Sequence, residues 1–197
     1  MKRQLILFAP LILFGIAGCY FLYVFLETSD IGAFQDNLMP ELIGFCLEGF
    51  FLVGLFSLIQ RRIERDRKHE MRQSLRGSLR EILSHLDIAL LEEHAEPASS
   101  DSLDNDPKLV KTLFVKLHAT DLDLNSMRNL KEAAARNLST MHDLIPVAAQ
   151  LSANHMRWWL AIADSTRHLS EATNRKDVNY AAQKFMKTLG EFDQLPL

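Results

Sequence analysis

The chain has 197 residues, a formal net charge of −3 and 48% hydrophobic residues, enough for one or two ordinary domains. The apolar residues are unevenly spread, however, with nine of the twelve Phe before residue 57, which excludes a uniform soluble globule. The two cysteines, Cys19 and Cys46, both fall inside apolar stretches, so a disulfide framework is excluded as well. Between Leu5 and Leu26 no charge occurs in 22 positions. At about 1.5 Å per residue such a helix spans about 33 Å, enough for the hydrocarbon core of a bilayer. Residues 5–26 are therefore predicted as a first membrane helix, and 42–59, with Glu48 as its only charge, as a second. A helix is required in both, because lipid offers no partner for backbone N–H and C=O groups. Lys2 and Arg3 precede the first span and eight Lys or Arg lie between Arg61 and Arg80, whereas the connecting loop has none and holds Glu27, Asp30 and Asp36. That asymmetry predicts both termini in the cytoplasm, and the short acidic outer hairpin reads as that of a bacterial inner-membrane protein.

Ile16-Ala17-Gly18-Cys19, behind Lys2-Arg3 and an apolar stretch, resembles a bacterial lipoprotein cleavage site. A processed signal gives way to polar residues, however, and here Tyr20 to Leu26 continues apolar, which favours an uncleaved span. Cys19 and Cys46 are read as small packing residues. Glu48 is costly in a span unless it is protonated, paired or wetted. Glu41, Gly44, Glu48, Phe51 or Leu52, and Leu55 form one stripe at helical spacing. That face is expected to meet other helices or water, either as a ring of Glu48 side chains in an oligomeric pore or as one protonated Glu48 bonded between helices. Two spans cannot enclose a channel alone, so a pore implies a homo-oligomer.

Past Gln60 the basic run Arg61, Arg62, Arg65, Arg67 and Lys68 is read as the membrane exit, held near the anionic inner leaflet. No nucleic-acid role is required to explain it. Ile59, Ile63, Met71, Leu75, Leu79, Ile82, Leu86 and Ala89 form an apolar seam, and only Gly77 interrupts residues 61–95 before Pro97. The second span is thus expected to continue as a basic exit helix to about residue 95, unbroken for some 80 Å. A seam of this kind serves a coiled coil or a helix packed on its own domain.

The charge then reverses, with eight carboxylates and no Lys or Arg from Glu81 to Asp106. Residues 96–106 are predicted as an acidic loop and 107–197 as a helical bundle. Asp106-Pro107 is a helix start. Helices are expected at 107–118, 124–141, 146–173 and 177–189, with Asp177 capping the last and Gly190 ending it. Their core is read as Val110, Leu113, Phe114 and Leu117; Met127, Leu130, Ala134 and Leu138; Leu151, Trp158 and Ile162; and Val178, Phe185 and Leu189. The fold class is all-α: a two-helix transmembrane hairpin, residues 1–60, followed by a cytoplasmic helical bundle.

Seven His invite a metal reading, but no pair has the spacing of a helical zinc motif, and neither metal nor cofactor is expected. A glycine-rich phosphate loop and a nucleophile elbow are both lacking. Arg136-Asn137-Leu138-Ser139-Thr140-Met141-His142 resembles the Arg…His signature of the HEPN ribonucleases, which are small helical domains. That resemblance implies a membrane-tethered ribonuclease with Arg136 stabilising charge and His142 in acid/base chemistry. Arg80 and His85 repeat a similar spacing. In Asn154-His155-Met156-Arg157-Trp158-Trp159, Trp158 with Asn154, His155 and Arg157 is read either as a surface that stacks a base and holds a phosphate, or as ordinary core.

The whole plan, two spans with Glu41 and Glu48, a basic exit and a compact helical domain, resembles bacterial defence effectors. These include CRISPR-associated membrane proteins that bind cyclic tetra-adenylate and then disturb the membrane. The resemblance implies a membrane-anchored, oligomeric, non-enzymatic sensor and effector in antiviral defence. Its partners would be the lipid bilayer, further copies of itself and a cyclic oligonucleotide signal. The helical ribonuclease and a passive membrane scaffold are the alternatives.

Overall fold

A computed structural model of the protein describes residues 2–27, 33–92 and 94–197, with side chains described for 9–27, 38, 40–92 and 94–197. The side chains of Lys2, Arg3, Asp30 and Asp36, used above for orientation, lie outside the described residues. No strand occurs among the described residues, and the all-α class is as expected. The helices are α1 (Lys2–Glu27), α2 (Ala33–Gly77), α3 (Arg80–Ala89), α4 (Ser100–Asn105), α5 (Pro107–Ala119), α6 (Leu124–Asp143), α7 (Ile145–Leu151), α8 (Ala153–Glu171) and α9 (Arg175–Asp193). The chain divides into two compact units, Met1–Asp66 and Arg67–Leu197, and α2 is assigned across their boundary.

Among the described residues two helices are long and apolar enough to cross a membrane, within Ala9–Glu27 and Pro40–Gly77, with mean hydropathy 2.1 and 2.2 over their most apolar windows. Almost none of either window is buried within the chain, unlike the core helix of a soluble protein. Small residues bring the pair together. A Cβ on Gly18 would sit 3.3 Å from the Cys46 Cβ, one on Gly15 3.4 Å from the Phe50 ring, and one on Gly54 3.3 Å from Leu11. A Cβ on Gly49 would lie 2.7 Å from the Phe14 ring, which in turn meets Phe45 edge-on at 5.9 Å. Lipid tails are as apolar as leucine, so close approach at such residues, rather than exclusion from water, is what holds membrane helices together. Cys46 is buried against α1, consistent with the packing role read from its setting.

The second unit is a helical bundle around one core, in which Trp159, Phe185 and Phe192 are the largest fully buried side chains. Each such side chain stabilises the fold by about 1.5–3 kcal/mol through burial. α5 starts as its sequence demands: Asp106 Oδ1 accepts the Lys108 N–H at 2.8 Å, and Pro107 fills the first turn. The expected core residues Val110, Leu113, Leu117, Met127, Leu130, Ala134, Leu151, Ile162, Val178, Phe185 and Leu189 are buried, while Phe114 and Leu138 are half-buried.

α2 begins at Ala33 and so takes in residues 33–40, expected as connecting loop, and the second unit departs from the sequence reading at four further places. The exit helix is not one rod to residue 95, because α2 stops at Gly77 and α3 begins at Arg80. There Ser78 Oγ donates to the Leu75 carbonyl at 2.7 Å and the Leu79 N–H reaches back only to Arg76, which tightens and ends the turn. The break lets Leu75, Leu79, Ile82 and Leu86 all bury fully, so the seam packs on its own domain. Within the acidic loop, Ser99 caps the one short helix α4, whose Leu103 is buried.

The expected helix 146–173 is two helices, divided at Ser152, whose extended backbone and hydroxyl cap α8 by accepting the His155 N–H at 3.2 Å. Finally, Asn174 rather than Asp177 caps α9, which runs through Gly190 to Asp193. The reason is Phe192, fully buried one turn beyond the expected stop.

Candidate functional site

In the membrane unit, Gly15 and Gly18 of α1 face the side of α2 that carries Cys46, Gly49, Phe50 and Gly54. At 100° per residue, the stripe of Glu41, Gly44, Glu48, Leu52 and Leu55 lies roughly 160° away around α2. Glu41 and Glu48 are exposed, Leu52 and Leu55 are more than half exposed, and nothing stands within 4 Å of a Cβ placed on Gly44. Among the described residues, Glu48 has no hydrogen bond or ion pair within the chain. The stripe expected to meet helices or water is therefore left uncovered by α1.

The basic run divides by position. Arg61, Arg62 and Arg65 are exposed on the first unit. Arg67 and Lys68 belong to the bundle: Arg67 Nη2 donates to Gln150 Oε1 at 3.0 Å, and Lys68 is half-buried. Beyond them, Arg72, Arg76 and Arg80 recur every four residues and form a ladder against the C-terminal ends of α9 and α4. Arg72 donates to the carbonyls of Leu195 at 2.9 Å, Phe192 at 3.4 Å and Asp193, and its guanidinium lies 5.8 Å from the Phe192 ring centre. Carbonyls at a helix C-terminus lack internal partners and carry partial negative charge, so a guanidinium is a fitting cap.

Arg76 donates to the Leu103 carbonyl at 3.1 Å and faces Asp193 at 3.5 Å, with both side chains about 95% buried. Arg80 forks onto both carboxylate oxygens of Asp104. Burial pushes the Asp193 carboxyl above the usual aspartate range and the Arg76 guanidinium down, while their mutual attraction opposes both shifts. Arg76 Nη1 and Asp193 Oδ2 have no hydrogen-bond partner. A hollow of about 320 Å³, lined by His69, Arg72, Arg76, Asp104 and Asp193 among others, opens beside them. The ladder was read from the sequence as excess positive charge; the four-residue spacing puts Arg72 and Arg76 on one face of α2, and Arg80 opens α3 beyond the break.

Phe192 joins this ladder to the helical core. His155 meets its ring edge-on at 5.5 Å, Trp159 packs at 5.9 Å, and Trp159 Nε1 donates to the Met141 carbonyl at 2.9 Å. Burial, then the nearby Arg72 and Lys68 charges, hold the His155 imidazole below its ordinary value. Its Nδ1 shares a 2.8 Å hydrogen bond with Ser152 Oγ, and its Nε2 is buried without a partner. Of the four residues read as a base-and-phosphate surface, Asn154, Arg157 and Trp158 share one face of α8 at i, i+3 and i+4, and His155 turns into the core. His155 is buried, Trp158 is half-buried against the core, and Asn154 and Arg157 are exposed.

The Arg136 guanidinium is held by Glu81, which accepts from Nε at 3.1 Å and Nη2 at 2.6 Å, and Asn137 donates to the same carboxylate. The Arg136 bonds hold the Glu81 carboxyl below the usual range. His142 is exposed, and six residues along one helix set it about 120° around from Arg136. No cluster of metal-ligating residues occurs among the described residues. No family model matches the chain, and neither a curated protein nor a solved structure matches it.

Proposed function

We propose that the protein is a self-associating membrane effector whose cytoplasmic helical bundle senses a signal and sets the state of its two spans. The observation that carries this reading is Glu48, without a partner among the described residues, on the side of α2 that α1 leaves open. An ionisable side chain in that setting costs several kcal/mol unless another helix or water receives it. Further copies of the chain would supply both, around a ring of Glu48 side chains. The second support is α2 itself, whose one assignment includes the apolar span and the arginines that grip α9 and α4. A change in the bundle would bias the spans only if the signal binds its two states with different affinity. A bacterial inner membrane with both termini cytoplasmic accords with the basic residues on either side of the spans.

The test is dye release from neutral-lipid liposomes holding the full chain at increasing protein-to-lipid ratios, with and without cyclic oligonucleotides. Release rising more steeply than the ratio, and lost in Glu48→Gln, is the expected result. Absence of release under every condition, with the chain monomeric by cross-linking, overturns the effector reading. RNA cleavage abolished by His142→Ala would replace it with the tethered ribonuclease.

A further inference from the structure

A groove of about 520 Å³ runs between α5 and α9, in the size range of small-molecule sites. Its apolar lining is Val110, Phe114 and Met186, with Gly190 beside them. Lys108, Lys111 and Lys187 also line it. Two other bundle lysines do pair with carboxylates, Lys116 with Glu92 at 2.8 Å and Lys184 with Asp164 at 3.6 Å. Among the described residues, the three groove lysines have no such partner. Two carboxylates share the lining, Glu191 and Asp193, and the second already faces Arg76 at 3.5 Å. Positive charge is therefore in excess around an apolar floor.

Gly190 supplies an independent observation. It lies inside α9, where glycine is less favourable than alanine, and its φ is not positive. Nothing stands within 4 Å of a Cβ placed on it. Neither the backbone nor packing within the chain calls for glycine here, whereas keeping space open beside the apolar floor does.

We infer that the α5–α9 groove binds a small phosphate monoester with an apolar body. The body lies on Phe114, Met186 and Gly190, and the phosphate among the three lysines. A dianionic head matches three point-like ammonium groups better than a carboxylate does. Pro107, Val110, Phe114 and Met186 make an apolar floor that suits an aliphatic body, with Gln194 as the neutral polar side chain on the lining. The inference is independent of the membrane-effector reading, since it concerns occupancy and not dye release.

The experiment records methyl-labelled methionine spectra of the full chain in phosphatidylcholine nanodiscs, with the Met186 signal assigned through Met186→Leu. Hexyl phosphate is expected to move that signal saturably, and hexanol and inorganic phosphate each to bind at least tenfold more weakly. Replacing Lys108, Lys111 and Lys187 together by Gln weakens hexyl phosphate about tenfold or more. Gly190→Leu abolishes binding without lowering the thermal midpoint, and Gly190→Ala raises the midpoint by about 4 °C. Nanodiscs containing phosphatidic acid, itself a phosphate monoester, separate the sources of the head group: competition with hexyl phosphate identifies a lipid, and unchanged affinity a soluble ester. The inference is overturned if hexyl phosphate gives no saturable change, if Gly190→Leu binds as the parent does, or if inorganic phosphate binds as tightly as the ester.

Discussion

The Arg76–Asp193 pair gives the bundle its most demanding test, because both groups are about 95% buried yet incompletely satisfied. At 3.5 Å and an effective dielectric of about 20, their attraction is about 4–5 kcal/mol. Desolvation of two charges offsets much of that, so the net contribution of the pair is small while the cost of halving it is large. Arg76→Met leaves the Asp193 carboxylate buried without its cation and removes the bond to Leu103 O, and should cost about 3–5 kcal/mol. Asp193→Leu leaves Arg76 with its bond to Leu103 and the attraction of Asp104 and Asp106, and should cost about 2–3 kcal/mol. The double variant should cost about 1–2 kcal/mol, chiefly the lost bond to Leu103 O, far less than the sum, giving a coupling energy of about 3 kcal/mol or more. Both tryptophans of the chain lie in α8, so urea unfolding of the full-length protein followed by tryptophan fluorescence reports the bundle alone. Single-variant costs that add to within about 0.5 kcal/mol in the double variant would refute the argument.

Ser152→Ala removes the cap that divides α7 from α8 and the hydroxyl beside His155 Nδ1, and should cost about 1–2 kcal/mol in the same unfolding assay. His155, held below its ordinary value of 6.5, contributes stability that is present above that pH and is lost as the pH falls through its lower folded value. His155→Phe should flatten this part of the pH profile below 6.5. Asp193 has the opposite sign, since a raised folded pKa gives stability that is full below 3.8 and lost as the pH rises through the raised value. Gly49→Leu drives a side chain into the Phe14 ring, 2.7 Å from the added Cβ. It should separate α1 from α2, read as increased labelling of Cys46, which is otherwise buried, by a membrane-permeant thiol reagent.

The sequence made the membrane hairpin and the helical class legible because a bilayer imposes a length and a charge rule that any single span must obey on its own. Helix starts were legible where one residue decides them, as at Asp106-Pro107. Helix ends were not, because tertiary contacts decide them. Gly190 is a stop signal by local rules, yet α9 passes through it to bury Phe192 and bring three carbonyls to Arg72. Likewise the seam through Leu75 and Leu79 is periodic enough for one rod, and only burial of Leu75, Leu79, Ile82 and Leu86 in one core shows why it breaks at Gly77. Trp158 was read as a core residue, yet Trp159 takes the fully buried position and Trp158 is half-buried.

The same distinction separates the two halves of the basic segment. A composition count treats Arg61 to Arg80 as one membrane flank, because each cation gains about 1 kcal/mol near anionic lipid wherever it sits. A guanidinium that caps a helix end or faces a buried carboxylate cannot also lie in the lipid headgroups. Arg72, Arg76 and Arg80 are committed in that way, and Arg67 is bonded to Gln150, so the exposed Arg62 and Arg65 are the cations expected to meet lipid. Neutralising Arg62 and Arg65 should therefore weaken binding to anionic bilayers and leave bundle stability unchanged, whereas Arg72→Gln should do the reverse.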